Sequence, residues 1–168
     1  AADIVTGVKF SNAGQICVSP NRVFVVEAVR DAFTKKVIDR ARAAKVGFDK
    51  TVDITTGPVI DARAWTRLKG LVDDAVSEGA TLLAGGDRPA GLNAGHYLAP
   101  TVLTDVTETM AVYREETFGP IVSIVPFDTK TDLLRMANDC EEGGLTAYIF
   151  TRNLARAEHY AARLRYGE

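Results

Sequence analysis

The chain has 168 residues, 20 of them basic and 22 acidic, for a net charge of −2. That balance shows neither the basic footprint of a nucleic-acid binder nor a basic face for an anionic membrane, so neither is an expected partner. With 46% hydrophobic and 25% charged residues, the composition is that of a globular protein with one sizeable core.

The opening "AADIVTGVKF" lacks the basic start and apolar stretch of a signal peptide. Residues 23–26, "VFVV", read as a buried strand of β-branched and aromatic side chains. Val29, Phe33, Val37, Ala41 and Ala44 recur at steps of three and four, which predicts an amphipathic helix over 29–46, ended by Gly47. "DKTVDITTGPVI" is a loop punctuated by Gly57-Pro58. A second helix is predicted over 62–78, with Trp65, Leu68, Val72, Ala75 and Val76 on one face and Gly79 behind it. "TLLAGG" reads as a short strand with a glycine turn, "DRPAGLNAGHY" as a loop and "PTVLTDV" as another strand. Residues 121–127 are apolar at nearly every position, the mark of a strand covered on both faces. Asp128 or Thr129 can cap a helix running to about 142. "TAYIF" is a further predicted strand, and 154–166 a last helix after Asn153. Runs such as "VFVV" and "IVSIV" are too short to span a bilayer, and no internal repeat is visible.

Strands alternating with helices of ten or more residues predict an α/β fold, a three-layer αβα arrangement around a mostly parallel sheet. In such sheets the ligand crevice is expected beyond the carboxyl ends of the strands. No GxGxxG opens any of the helices, and "AGGDRPAG" lacks that spacing and reads as a surface turn. A dinucleotide pyrophosphate is therefore not expected to be held by this domain alone.

Two cysteines, Cys17 and Cys140, are too few for a disulfide scaffold, and a reducing compartment, most simply the cytoplasm, is expected. His96 and His159 have no Cys or His neighbour at ligand spacing, so no metal site is expected. Cys17, in "NAGQICVSPNRVFV", could be packing, a metal ligand, half of a disulfide or a nucleophile. Composition alone favours a small buried hydrophobe. Its context points elsewhere: Gly14 permits a sharp turn and close approach by a ligand, while Asn12 and Gln15 can pin that turn by hydrogen bonds. Cys140, after "AND" at a predicted helix end, keeps the packing reading.

Phe10, Asn12, Gly14, Gln15, Cys17 and Arg22 stand at the F-x-N-x-G-Q-x-C-x-x-x-x-R spacing of the aldehyde dehydrogenase superfamily, which this chain resembles. "EETFGP" at 115–120 is similar to that superfamily's second hallmark. Supporting matches are Gly57-Pro58, "APTVL" at 99–103 and "ANDCEEGGLTAYIFTRN" at 137–153, so the resemblance runs over essentially the whole chain. It implies that residues 1–168 are a catalytic-domain fragment, with Cys17 as the nucleophile that attacks an aldehyde carbon. The thiohemiacetal so formed would pass a hydride to the nicotinamide of NAD or NADP, and water would release the acid from the remaining thioester. The backbone N–H of Cys17 would help hold the oxyanion. The resemblance further implies that Glu116 accepts hydrogen bonds from the nicotinamide ribose and that Phe118 lies beside the nicotinamide, with Gly119-Pro120 fixing the backbone that presents it. Two carboxylate oxygens facing a diol suit the first task. Glu115 is read as a solvated carboxylate.

In that superfamily the phosphate-binding glycines, a general-base glutamate and a second oxyanion donor precede the cysteine motif, and a C-terminal segment helps build the substrate tunnel and the oligomer interface. None is recognisable among these residues. The expectation is therefore an enzyme whose cofactor is bound mainly by another domain, which is a homo-oligomer when intact, and whose 168-residue part has little turnover alone. "GLTAYIFTRN" and "EETFGP" are most similar to the succinate-semialdehyde dehydrogenase branch. That branch carries an arginine where this chain has Ser11, and a serine cannot supply a bidentate cationic fork to a substrate carboxylate. It also often has a second cysteine where this chain has Ser19, so no redox-switch disulfide is expected. Two other readings compete: a thiol hydrolase with Cys17 served by His96 or His159, and a non-catalytic folding or interaction module with an inherited cysteine.

Overall fold

The computed structural model describes residues 1–49, 53–139 and 144–167. Four strands form one sheet in the order β1-β4-β3-β2, with β1 at Arg22–Val26, β2 at Thr81–Ala84, β3 at Thr101–Thr104 and β4 at Ile121–Phe127. β4 pairs in parallel with both β1 and β3, while β2 closes the sheet antiparallel to β3. The helices are α1 (Ala2–Phe10), α2 (Glu27–Ala43), α3 (Ala62–Ser77), α4 (Ala111–Arg114), α5 (Leu133–Asn138) and α6 (Leu154–Ala161).

Alternation along the strands divides the core in two, because successive side chains point to opposite faces. Val23, Val25, Val102, Val122 and Ile124 meet Ala2, Val5 and Phe10 of α1 and Val37 and Ala41 of α2. Phe24, Leu103, Ile121 and Val125 face the other way, onto Leu68, Leu71, Val72 and Ala75 of α3 and Val112 and Tyr113 of α4. The sheet is thus the middle layer of three, as the alternation of elements predicts. The pairing Val23↔Ile124 and Phe24↔Val125 keeps each face's side chains on their own side.

Several elements differ from the sequence reading. α1 was not anticipated, since Gly7 and the β-branched residues of "DIVTGVKF" weaken helix propensity; burial of Val5 and Phe10 overrides that weakness. α2 stops at Ala43, and its inner face is Thr34, Val37 and Ala41, leaving Val29 half exposed. α5 begins only at Leu133, capped by Asp132, because the Asp128 carboxylate ties up Lys130 N and Thr131 Oγ1 in a turn ahead of it. The expected continuation to 142 runs outside the described residues, as does Cys140. "TAYIF" is not a strand: the segment joins no strand of the sheet, and Tyr148 instead donates from its hydroxyl to the Val18 carbonyl at 3.0 Å. α6 is capped by Asn153 as expected but ends at Ala161.

Leu68 is fully buried at the centre of the α3 face. Leu68→Ala should cost about 2–5 kcal/mol in urea unfolding through the cavity it leaves, whereas Val29→Ala, at an exposed site, should change stability by less than about 0.5 kcal/mol.

Candidate active site

α1 ends at Phe10 and the chain turns tightly over Ser11–Gly14 before reaching Cys17. Asn12, Ala13 and Gly14 all have left-handed backbones, with φ of 48°, 53° and 69°. Such residues normally occur singly, so three in succession need support from outside the turn. Side chains supply it. Asn12 Nδ2 donates to the Gln15 carbonyl at 3.0 Å, and Gln15 Nε2 donates back to the Asn12 carbonyl at 3.1 Å. Gln15 also reaches the Gly57-Pro58 segment, donating to the Pro58 carbonyl at 3.4 Å and accepting from Ile60 N at 2.9 Å. Thr56 Oγ1 donates to the Phe10 carbonyl at 3.0 Å. Cys17 follows this braced turn and is exposed.

The second loop, 115–120, is strained as well: Phe118 has φ 46°, which is costly for an aromatic residue, and the residue is 42% exposed. It too is held by side chains. Asn21 Nδ2 donates to the Glu115 carbonyl at 2.7 Å, and Asn21 Oδ1 accepts from Thr117 N at 2.8 Å. Arg67, from α3, donates to the carbonyls of Glu116 and Thr117. The two loops also touch directly: a Cβ added to Gly14 would overlap the carbonyl of Gly119, and one on Gly119 would overlap the Leu68 side chain. Cys17 is therefore bracketed in sequence by Gly14 and Asn21, both in contact with the loop that carries Glu116 and Phe118.

Lys9 is the least expected member of this assembly. It is only 1% exposed, and its Nζ donates to Thr117 Oγ1 at 2.9 Å. Burial lowers its pKa to about 7, with the Glu116 carboxylate acting in the opposite direction. Nothing in the spacing pointed to Lys9, Asn21 or Arg67. The one available signal for Lys9 was a lone cation in the apolar stretch "IVTGVKF".

The site's position differs from the expectation. Cys17 precedes β1 and Glu116 and Phe118 precede β4, so all three lie at the amino ends of two adjacent parallel strands rather than beyond the carboxyl ends. The reason is local: both motifs are entry loops, and the parallel register aligns the starts of β1 and β4. Glu116 is exposed, as is Glu115. His96 and His159 take no part in this assembly; His159 lies on α6 with its ring edge-on to Tyr160. Among the described residues no hydrogen bond links either imidazole to Cys17, and the hydrolase reading has no geometric support.

Residues 1–168 match the aldehyde dehydrogenase family. This chain belongs to that family. It is similar to a solved aldehyde dehydrogenase from Brucella melitensis biovar abortus 2308, with 38% identity, a TM-score of 0.92, and coverage of 99% of this chain and 33% of that one. A succinate-semialdehyde dehydrogenase from Burkholderia pseudomallei is 39% identical with a TM-score of 0.91, over 99% of this chain and 34% of that one. An aldehyde dehydrogenase from Mycobacterium tuberculosis, solved with NAD+, is 32% identical with a TM-score of 0.93, over 99% and 34%. The chain thus spans about a third of the length of the solved structures it matches. Its family membership accounts for the paired motifs, and the contact between Gly14 and Gly119 is how this aldehyde dehydrogenase chain joins them.

Two outcomes test the site's construction. Gly14→Ala combines a left-handed backbone with overlap on the Gly119 carbonyl, and should destabilise the fold by more than about 2 kcal/mol in a chemical melt. Lys9 has a folded pKa of about 7, below the ordinary value of 10.5. Between those values the unfolded chain binds more protons, so stability rises with pH across that window. Lys9→Met lacks that rise. Its stability relative to wild type should therefore fall by on the order of 3 kcal/mol between pH 6 and pH 9.5.

Proposed function

We propose that this chain is the catalytic domain of an NAD(P)-dependent aldehyde dehydrogenase, that Cys17 is its nucleophile, and that Glu116 and Phe118 meet the cofactor. The observation that carries this reading is the meeting of the two motif loops: the braced turn just ahead of the exposed Cys17 abuts the loop that presents the exposed Glu116 and Phe118.

The residues present fit a nicotinamide nucleoside. Among the described residues only the backbone carbonyl of Glu116 is bonded, by Arg67, leaving the exposed carboxylate to accept from a diol. Phe118, in its left-handed backbone, offers an apolar face next to it. The nicotinamide, when bound, supplies the hydride acceptor. The chain's own residues do the rest. Cys17, as thiolate, adds to the aldehyde carbon to give a thiohemiacetal. Its backbone N–H, two residues beyond the braced Gln15, is the oxyanion donor on this reading. Loss of hydride leaves a thioester on Cys17, which water cleaves to the carboxylic acid. The proton acceptor for thiol and water that the resemblance implies is a glutamate that is not recognisable among these residues. On this reading the 168 residues alone have little turnover.

Ser11 is exposed at the turn that leads to Cys17. It offers a hydroxyl rather than a cationic fork, so a substrate with a distal carboxylate would need its cation from elsewhere. A non-catalytic interaction module is the second reading, favoured by apolar side chains left open at Ile60, Phe48 and Leu154, which are 83%, 76% and 72% exposed. The same exposures suit a homo-oligomeric enzyme.

Cys17→Ser in the full-length enzyme should reduce aldehyde-dependent NAD(P)H formation by about a thousandfold or more, with the fold intact by circular dichroism. An undiminished rate would overturn the nucleophile assignment. The 168-residue chain, assayed alone with the same aldehydes, should form no NAD(P)H above background.

A further inference from the structure

We propose that Lys9 is a positioning residue for the cofactor: from beneath the 115–120 loop it grips Thr117 and draws the Glu116 carboxylate into the orientation that a nicotinamide ribose requires. The inference rests on the reading of Glu116 given above.

The grip is specific. Thr117 is fully buried, its N–H is taken by Asn21 and its carbonyl by Arg67, so its hydroxyl is the remaining handle, and Lys9 Nζ takes it at 2.9 Å. Glu116 and Phe118 flank that threonine on either side. Asn21 approaches from the cysteine side and Arg67 from α3, while Lys9 approaches from α1; three side chains from three elements thus converge on one residue. Of these, Lys9 is the one that is both charged and buried. An ammonium with one neutral acceptor is an expensive group to bury. A methionine of similar length would fill the same space without that cost, and packing therefore does not explain the charge.

What the charge adds is a field on Glu116. That carboxylate is the charged side chain that acts on Lys9 most strongly, and the pull is mutual. The other elements packed against α1 bring little competition. β4, "IVSIVPF", and the turn at 11–14, "SNAG", have no ionisable side chain. On α2, Arg30 pairs with Glu27 and Asp31, Lys35 with Asp39, and Arg40 with Asp3 at the opposite end of α1. Arg67 is engaged by the carbonyls of Glu116 and Thr117 and pairs with Glu115 at 4.0 Å. Lys9 changes charge near pH 7, within the range where an enzyme assay can follow it. Below that pH the ammonium restrains Glu116; above it the restraint weakens and the carboxylate is free to turn away.

The test measures NADH or NADPH binding to the full-length enzyme by nucleotide fluorescence, from pH 6 to pH 8.5. Wild type should bind more weakly as pH rises through 7. Lys9→Met should bind about five- to tenfold more weakly at pH 6 and show no such pH dependence. Glu116→Gln should also weaken binding, and the double variant should be no worse than Glu116→Gln alone, because the lysine acts through the carboxylate. Iodoacetamide labelling of Cys17 should be unchanged in Lys9→Met, since the cysteine turn has its own braces. If Lys9→Met does not fold, Lys9→Gln keeps a donor for Thr117 without the charge and takes its place. Normal affinity and an unaltered pH profile in the Lys9 variant, with weakened binding in Glu116→Gln, would overturn this inference alone. Unchanged binding in Glu116→Gln would overturn the cofactor reading of Glu116 and the role of Lys9 with it.

Discussion

The whole arrangement depends on one close approach between two stretches of backbone. β1 and β4 are adjacent parallel strands, spaced about 4.8 Å apart as hydrogen-bonded neighbours are, so the loops that enter them must nest at the same height. They can do so because Gly14 has no Cβ to strike the Gly119 carbonyl, and Gly119 has none to strike Leu68. The nesting forces unusual backbone on both sides, at Asn12, Ala13 and Phe118. Conformations of this kind cost of order 1–3 kcal/mol each. Offsetting them are side-chain bonds from Asn12, Gln15, Asn21, Thr56 and Arg67. Each contributes about 0.5–1.5 kcal/mol net, so the strain is held by the set and by no single member.

Charge is handled in two ways around these loops. The Arg22 guanidinium spreads its charge over the carbonyls of Met136, Ala137 and Asp139 at the C-terminal end of α5, the Tyr166 hydroxyl and the faces of Phe24 and Tyr113. A cation at a helix C-terminus, with several acceptors and two rings, is well compensated. Lys9 has one hydroxyl and a carboxylate acting through space. Arg22, only partly buried, thus fastens β1 to the C-terminal elements, whereas Lys9, 1% exposed, has a single hydroxyl partner for its ammonium.

The layers of the fold were legible because their signal is local. The continuous apolar runs in "VFVV" and "IVSIVPF" and the three-four spacing in α3 are consequences of which faces are buried. What failed had non-local causes. α1 is short and contains Gly7, so its helicity comes from packing onto α2 and β4, which no local window contains. "TAYIF" has strand composition but pairs with no strand of the sheet; its Tyr148 is bonded to the Val18 carbonyl instead. The context of Cys17, with Gly14, Asn12 and Gln15 around it, singles that residue out before any resemblance, whereas Glu116 and Phe118 are candidates only through the resemblance of the second motif. Lys9, Asn21 and Arg67 could not be found that way, because their partners lie 108, 96 and 50 residues off along the chain.

Placement at the amino ends of the strands also shapes what this domain can contribute chemically. A site beyond the carboxyl ends of parallel strands has helix N-termini at hand, whose free N–H groups favour anions and phosphates. The amino-end loop before β1 does meet a helix start, since Gln15 reaches Pro58 and Ile60 just ahead of α3, but that first turn is already capped by Asp61. What the two entry loops offer is rigidity: one runs into β4, paired on both sides, the other into the edge strand β1, and each is tied to the other through the contact of Gly14 with Gly119. On the proposed reading, that tie is what would hold a nucleophile and a ribose acceptor in fixed relation.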